Sequence, residues 1–295
     1  MQPERWTRRE MLAVTGTASL AALGLTDPWK ALAERERRAA DYAAKVLAKG
    51  PVGYWRLGEK MGPEARDETK NGFNGVYHGT PVYGENGAIQ GDPDTAVKLD
   101  GQGAYIEIPD DAAFSQPTSG KGLTVEVWMR PDVLVFDGES EEHFIHWLGK
   151  GEPEQQEWGL RFYNKQSGRP NRISAYIWNL SGGLGSGAYV QERLKPGEWI
   201  YVVACYAPGD MNDPRAGVSL YKNGVLRGGP EAKPPQPGAL YRQYNITPAH
   251  GKAPLRLGTR DRKSFLQGAL DEVAIYPRVL SADEIKENYR AGARS

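Results

Sequence analysis

Residues 268–289, GALDEVAIYPRVLSADEIKENY, constrain the fold more than any other stretch. They read as an alternating strand, a break at Pro277 and a capped helix. Ser281 is a good N-cap, and Glu284 three residues on completes a capping box. Leu280 and Ile285 form the matching hydrophobic staple, and Ile285 and Tyr289 share a helix face that must dock on something. In the strand, alternation places Asp271 on the same face as Val273 and Ile275, the row expected to point into a core. A carboxylate there needs a cation or several donors, because an unpaired buried charge is very costly.

Similar alternation recurs upstream. Leu123, Val125, Val127 and Met129 form an apolar row opposite Thr124, Glu126, Trp128 and Arg130. Trp158, Leu160 and Phe162 are expected to face inward, with Arg161 and Tyr163 outward. Ile173, Ala175 and Ile177 face inward, leaving Arg172, Ser174, Tyr176 and Trp178 on the other side. Asn223-Gly224, between two short strand patterns, marks a two-residue hairpin. With 36 Gly and 21 Pro among 295 residues, turns are plentiful enough to connect about a dozen strands.

In order along the chain stand PVGYWRLGE (Pro51–Glu59), DETKNGFNG (Asp67–Gly75), VKLDGQGAYIEIPD (Val97–Asp110) and LTVEVWMRPD (Leu123–Asp132). GEWIYVVACY (Gly197–Tyr206), SLYKNGVL (Ser219–Leu226) and LRLGTRD (Leu255–Asp261) follow. This series resembles the laminin-G-like, concanavalin-A-like jelly roll family from about Pro51 to Gly292. The resemblance implies an all-β, antiparallel two-sheet sandwich with a short N-terminal helix and a C-terminal helix. It settles architecture better than role, since a fold hosts many functions.

The N-terminus reads differently. Thr7-Arg8-Arg9-Glu10-Met11-Leu12 resembles a twin-arginine export motif, with Met11 where Phe is commoner, and a mildly apolar run follows to Leu25. Ala31-Leu32-Ala33 offers a small-residue cleavage site, so residues 1–33 are expected to be a signal peptide and the protein to be secreted or held in the cell envelope. Residues 34–50 then form a lead-in helix with a thin apolar stripe of Ala39, Ala43, Val46 and Leu47, and residues 51–292 form the domain. The apolar run is too short to span a bilayer comfortably, so no membrane insertion is expected.

The formal net charge is zero, so no electrostatic argument for nucleic acid exists. The single cysteine, Cys205, excludes an internal disulfide and is expected to be a buried, inert thiol. The strongest functional signal is aromatic. Trp128, Tyr176 and Trp178, with Arg161 and Tyr163, stand at outward positions where a solvated sheet would carry Thr, Lys and Ser. Sugar rings stack their C–H faces on aromatic planes and need Arg, Glu, Asn or Gln for their hydroxyls, so a polysaccharide or other glycan is the expected partner. The rim is expected to add an acidic loop, Asp137–Glu142, and a flexible Gly-rich loop, Asn179–Tyr189. The competing reading is a protein-interaction or adhesion module on the same face.

The family resemblance also implies one structural calcium. Asp67, in an Asp-x-x-x-Asn-Gly-x-Asn-Gly loop, and Asp271 are the matching positions, with Asn71 and Asn74 as further oxygen donors; Lys70 is a departure. The alternative for both aspartates is that they cap turns or accept backbone hydrogen bonds. Support for catalysis is thin. Glu152, Glu154 and Glu157 only superficially resemble a glycoside hydrolase signature, and Pro153 interrupts the strand that such chemistry needs. Lyase chemistry would call on His146, Tyr176 and Arg161, which no motif selects. A noncatalytic binding module is therefore the expectation.

Overall fold

A computed structural model describes residues 42–115, 122–136, 143–208, 217–229, 231–232, 238–241, 246 and 249–293. Residues 1–33, the acidic run 137–142 and the first residues of the lead-in segment lie outside these. A short helix, α1, covers residues 42–48. The strands are β1 Gly53–Trp55, β2 Glu64–Ala65, β3 Gly75–His78, β4 Val82–Asn86, β5 Thr95–Asp100 and β6 Tyr105–Ile108. They continue as β7 Leu123–Pro131, β8 Phe144–Lys150, β9 Trp158–Tyr163, β10 Arg172–Asn179, β11 Gly182–Gln191 and β12 Ile200–Ala207. The series ends with β13 Gly217–Lys222, β14 Val225–Gly228, β15 Gly238–Tyr241, β16 Leu255–Leu257 and β17 Gln267–Tyr276, followed by helix α2, Ala282–Gly292.

Two antiparallel sheets result. The first runs β14-β13-β12-β7-β17-β5-β4, with β1 also paired to β17; the second runs β15-β11-β10-β9-β8-β16-β6-β3-β2. The inner rows of both build one core, which includes Val125, Val127, Leu160, Phe162, Ile173, Ala175, Val273 and Ile275. The hairpin expected at Asn223-Gly224 joins β13 to β14, and both residues have positive φ (51° and 73°) as a two-residue turn of this type requires. The C-terminal helix has its capping box, with the Ser281 side chain accepting from the Glu284 N–H and the Glu284 carboxylate accepting from the Ser281 N–H.

Three expectations change. Asp271 does not share a face with Val273 and Ile275. The ladder between β17 and β7 slips between Asp271 and Ala274, and Glu272 takes a left-handed φ of 53°. That bulge inserts one residue and reverses parity, so Val273 and Ile275 enter the core while Asp271 stands opposite Trp128 on the outer side. Residues 179–189 are not a flexible loop, because Gly182 begins β11, which pairs with β10 along its length. Finally, Trp128 does not join Tyr176 and Trp178. It lies in β7, so its outward row belongs to the opposite sheet and the opposite side of the sandwich.

That outer face of the first sheet forms a second apolar layer. Tyr42 and Val46 of α1, together with Leu280 and Ile285 at α2, cover Trp128, Tyr201, Val203, Cys205 and Tyr276. Trp128 is 3% exposed, because both helices close over it. The face of α1 is therefore Tyr42 and Val46, one turn apart, while Leu47 remains exposed. At its centre Glu126 is fully buried. It accepts from Tyr42 Oη (3.2 Å), Tyr276 Oη (2.8 Å) and Asn288 Nδ2 (2.9 Å). Burial still pushes its carboxyl above the ordinary range. Cys205 is buried in this layer and burial pushes its thiol up to about 11, which keeps it protonated and unreactive.

Candidate binding site

The outer face of the second sheet carries the other aromatics. Register places His146 of β8, Arg161 of β9, Ser174 of β10 and Tyr189 of β11 in one row across four strands. Phe144, Tyr163 and Arg172 lie on one side of that row, and Tyr176 and Trp178 on the other. A bulge in β8 makes this possible: Trp147 and Leu148 both enter the core, which leaves Phe144 and His146 facing out.

The face alternates rings and cations. Tyr176 and Trp178 stack with centroids 5.6 Å apart and planes at 22°. The Arg161 guanidinium lies 4.3 Å from the Tyr176 ring, 4.5 Å from Phe144 and 5.1 Å from Trp178; Arg260 adds a second cation 4.9 Å from Trp178. Arg172 lies 3.8 Å from the Tyr189 ring and 5.6 Å from Tyr163, and Arg169 lies 4.9 Å from Tyr163. Arginine over an aromatic plane is favourable through the ring quadrupole, more so where both are desolvated.

Glycines of β11 provide the floor. A side-chain carbon at Gly187 would sit 3.0 Å from the Tyr176 ring and 2.2 Å from the Ala175 carbonyl oxygen. One at Gly185 would sit 2.8 Å from Trp178 Nε1. The rings therefore lie down across a strand that has no side chains at those points. The Gly-x-Gly spacing opposite Tyr176 and Trp178 was the available signal for this, and it reads as a loop only if strand pairing is ignored.

The expected site residues are thus divided. Arg161, Tyr163, Tyr176 and Trp178 come together on one face, and Trp128 is on the other sheet. Outward parity does not mean exposure. Trp178 is only 2% exposed, covered by its arginines and by His146, whose ring meets it edge-on at 5.7 Å. Tyr163 is buried as well, whereas Tyr176 and Arg161 are half-exposed. Arg260, within the LGTRD segment, Phe144 and Arg172 complete the face and were not among the residues singled out for binding.

His146, Arg161 and Tyr176 do meet. Arg161 Nε donates to His146 Nε2 at 3.0 Å, which occupies that lone pair. Burial first, then the charges of Arg260 and Arg161, hold the imidazole well below its usual range, so it stays neutral. It is a holder for Arg161, not a base open to a substrate. Two of the three carboxylates of the 152–157 segment have structural partners: Glu152 with Arg256, and Glu157 with the fully buried Lys150.

The residues matched to a calcium site do not fit as a ligand set. Asp67 Oδ1 accepts from the N–H groups of Tyr54 and Thr69, and Oδ2 accepts from Thr69 Oγ1 and the Phe73 N–H, at 2.7–3.0 Å. Asn74 Oδ1 accepts from the Asp67 N–H, and Asn71 Nδ2 donates to the Val52 carbonyl. These groups close the loop after β1 with backbone donors, the turn-capping alternative. Asp271 accepts a backbone hydrogen bond, from the Ala88 N–H at 2.7 Å through Oδ2, while its buried Oδ1 has no hydrogen-bond partner among the described residues. Burial, reinforced by neighbouring Glu272, pushes the Asp271 carboxyl well above its ordinary range. Glu272 is held by Arg56 and the Tyr54 hydroxyl. Among the described residues no cluster of His, Cys, Asp or Glu forms a metal site.

Comparison with known proteins agrees with the architecture. The family model of the concanavalin A-like lectin/glucanases superfamily matches residues 100–286. Among solved structures, the receptor binding domain of botulinum neurotoxin C/D mosaic serotype aligns at 12% identity with a TM-score of 0.57, over 81% of this chain and 51% of that one. The binding domain of botulinum neurotoxin DC in complex with SialylT aligns at 8% identity and a TM-score of 0.58, over 84% and 53%. Domain 4 of AbnA, a GH43 extracellular arabinanase from Geobacillus stearothermophilus, in complex with arabinotriose, aligns at 17% identity and a TM-score of 0.52, over 81% and 98%. The chain spans about half the length of the neurotoxin domains and nearly all of the arabinanase domain. No curated protein shows a significant sequence match. With more than half of its residues covered by the family model and both sheets in place, the chain belongs to the concanavalin A-like lectin/glucanase superfamily.

Proposed function

We propose that the protein is an exported, noncatalytic module that binds a glycan on the outer face of the nine-stranded sheet. The observation that carries this reading is the stacked Tyr176–Trp178 pair, with Arg161 laid across it and Tyr176 half-exposed. A flat ring beside a guanidinium offers a sugar both an apolar plane and hydrogen-bond donors. Trp178 acts as the base of the stack and Tyr176 as the ring the sugar meets. The arabinotriose named with the fold neighbour AbnA domain 4 supports the class of ligand, while the site here is argued from its own residues. In this reading residues 1–33 direct export, residues 34–50 lead into the domain, and residues 51–292 bind.

Two experiments test it. A glycan array, followed by titration of the best ligand against the wild type and Tyr176→Ala, should show at least a tenfold loss of affinity with little change in melting temperature. Unchanged affinity would remove the ligand from this face, and protein ligands captured in place of glycans would favour the interaction-module reading. For export, replacing Arg8 and Arg9 with Lys should leave unprocessed protein in the cytoplasm; normal secretion of that variant would sink the signal assignment.

A further inference from the structure

We propose that the sugar held on this face carries a carboxylate, and that Arg161 reads it; the inference rests on the glycan reading above. Arg161 occupies the middle outward position of β9, with rings on three sides at 4.3–5.1 Å. Its Nε is engaged by His146. Neither Nη atom makes a hydrogen bond or an ion pair among the described residues. Three other arginines of the same face have acceptors: Arg172 donates to Gln191 Oε1, Arg256 pairs with Glu107 and Glu152, and Arg260 pairs with Asp261. Aromatic faces stabilise a cation but accept no directed hydrogen bonds from its N–H groups. A half-buried guanidinium in this state lacks a planar acceptor.

Its surroundings are suited to one. His146 fixes the Nε end, so the paired Nη edge is the end left for a ligand. A carboxylate matches that fork with two oxygens in its plane and neutralises the charge, whereas a sugar hydroxyl satisfies only a single donor. Two hydroxyls stand close by in the register: Ser174, directly across from Arg161, and Tyr163, two residues along β9. Both are buried without a hydrogen-bond partner among the described residues, which is costly unless a ligand or water supplies one. Tyr176, beside the fork, would carry the sugar ring while Arg161 holds its acid group. The chemical class is a uronic acid or another carboxylated sugar within a polysaccharide.

The test uses matched polymers and the full chain. Polygalacturonate, alginate and hyaluronan are each titrated beside their carboxyl-reduced forms, with a sulfated neutral glycan as a further arm. At least one polyuronate should bind, and reduction of its carboxyls should weaken binding by roughly tenfold to a hundredfold, the range of a charge-assisted bond. Arg161→Gln should close that gap, whatever it does to the reduced form, and Arg161→Lys should restore part of it. Because Arg161 packs on three rings, melting curves accompany each variant. Should Arg161→Gln not fold, the wild type decides by salt, since the carboxylate-dependent part alone should fall between 0.05 and 0.5 M NaCl. Equal binding of native and reduced polymers, preference for the sulfated arm, or a gap that survives Arg161→Gln would each overturn the inference. Neutral glycans binding through Tyr176 with no polyuronate binding would overturn it alone, whereas no glycan binding at all would remove the function proposed above as well.

Discussion

The two outer faces of the sandwich begin from the same strand-level pattern and end in opposite conditions. Each has large aromatics at positions where alternation expects polar side chains: Trp128, Tyr201 and Tyr276 on one sheet, Tyr163, Tyr176 and Trp178 on the other. On the first, two helices close over the rings, and the polar atoms that enter with them converge on Glu126. On the second, the rings are covered by arginines of the same face, and one of these, Arg161, has its fork unengaged among the described residues. An outward aromatic row therefore marks a face that something occupies. Whether that is the chain itself or a ligand is decided by the polar groups around it.

The largest effect should come from the helix-covered face. Trp128→Ala removes a buried indole and its hydrogen bond to Tyr42, so it should destabilise the fold by about 3–5 kcal/mol in urea denaturation. Glycan affinity of the folded fraction should not change. A cost under about 1 kcal/mol would mean that the helices do not pack there, and the contrast between the faces would disappear.

Trp178→Ala should cost somewhat less, about 3 kcal/mol, because the arginine side chains above it can settle into part of the space. It should also loosen Tyr176 and weaken binding, which Trp128→Ala should not do. Equal behaviour of the two variants in the binding assay would erase the functional distinction.

The acid groups beside β17 give a third measurement. Asp271 keeps in the folded state a proton that it releases when unfolded, since burial and Glu272 push its carboxyl up. The folded state then binds more protons, so stability should fall as pH rises above about 4, with a slope of up to about 1.4 kcal/mol per pH unit. Burial also pushes Glu272 up to about 7, so the decline should extend to neutral pH. Asn cannot ionise and keeps the shape, so Asp271→Asn should flatten the slope and leave the protein more stable than wild type at pH 8. A melting temperature raised by calcium and lowered by Asp271→Asn would instead restore the metal assignment.

Much of this architecture was legible in strand parity. The inward rows of β7, β9 and β10 are where alternation places them, and the capping box at Ser281 is local chemistry that needs no tertiary context. What parity could not supply was which strands share a sheet. Trp128 and Trp178 carry the same outward signal, and only the order of strands puts them on opposite sides. The bulge at Glu272 was hidden for a related reason: one extra residue reverses the alternation, and nothing in DEVAIY marks where it falls. The glycines of β11 were misread because a strand that serves as a floor for rings from its neighbour has the composition of a loop.

The smallest effect concerns how far the open face extends. Three strands from Arg161, Tyr105 of β6 stacks on His78 of β3 at 4.6 Å, and Phe265 lies 6.1 Å from Tyr105; all three are half-exposed. At about 4.8 Å per strand the step from Arg161 to Tyr105 is roughly 14 Å, a distance spanned by a few sugar units but not by one or two. A long oligosaccharide lying across the strands would reach both aromatic groups, while a disaccharide would reach one. Tyr105→Ala should therefore weaken binding of a hexasaccharide about threefold, leave a disaccharide unaffected and change stability by less than about 1 kcal/mol. If the two ligands lose affinity equally, Tyr105 acts through the fold. If neither changes, the site ends at Arg161, and the open face is narrower than the helix-covered one opposite.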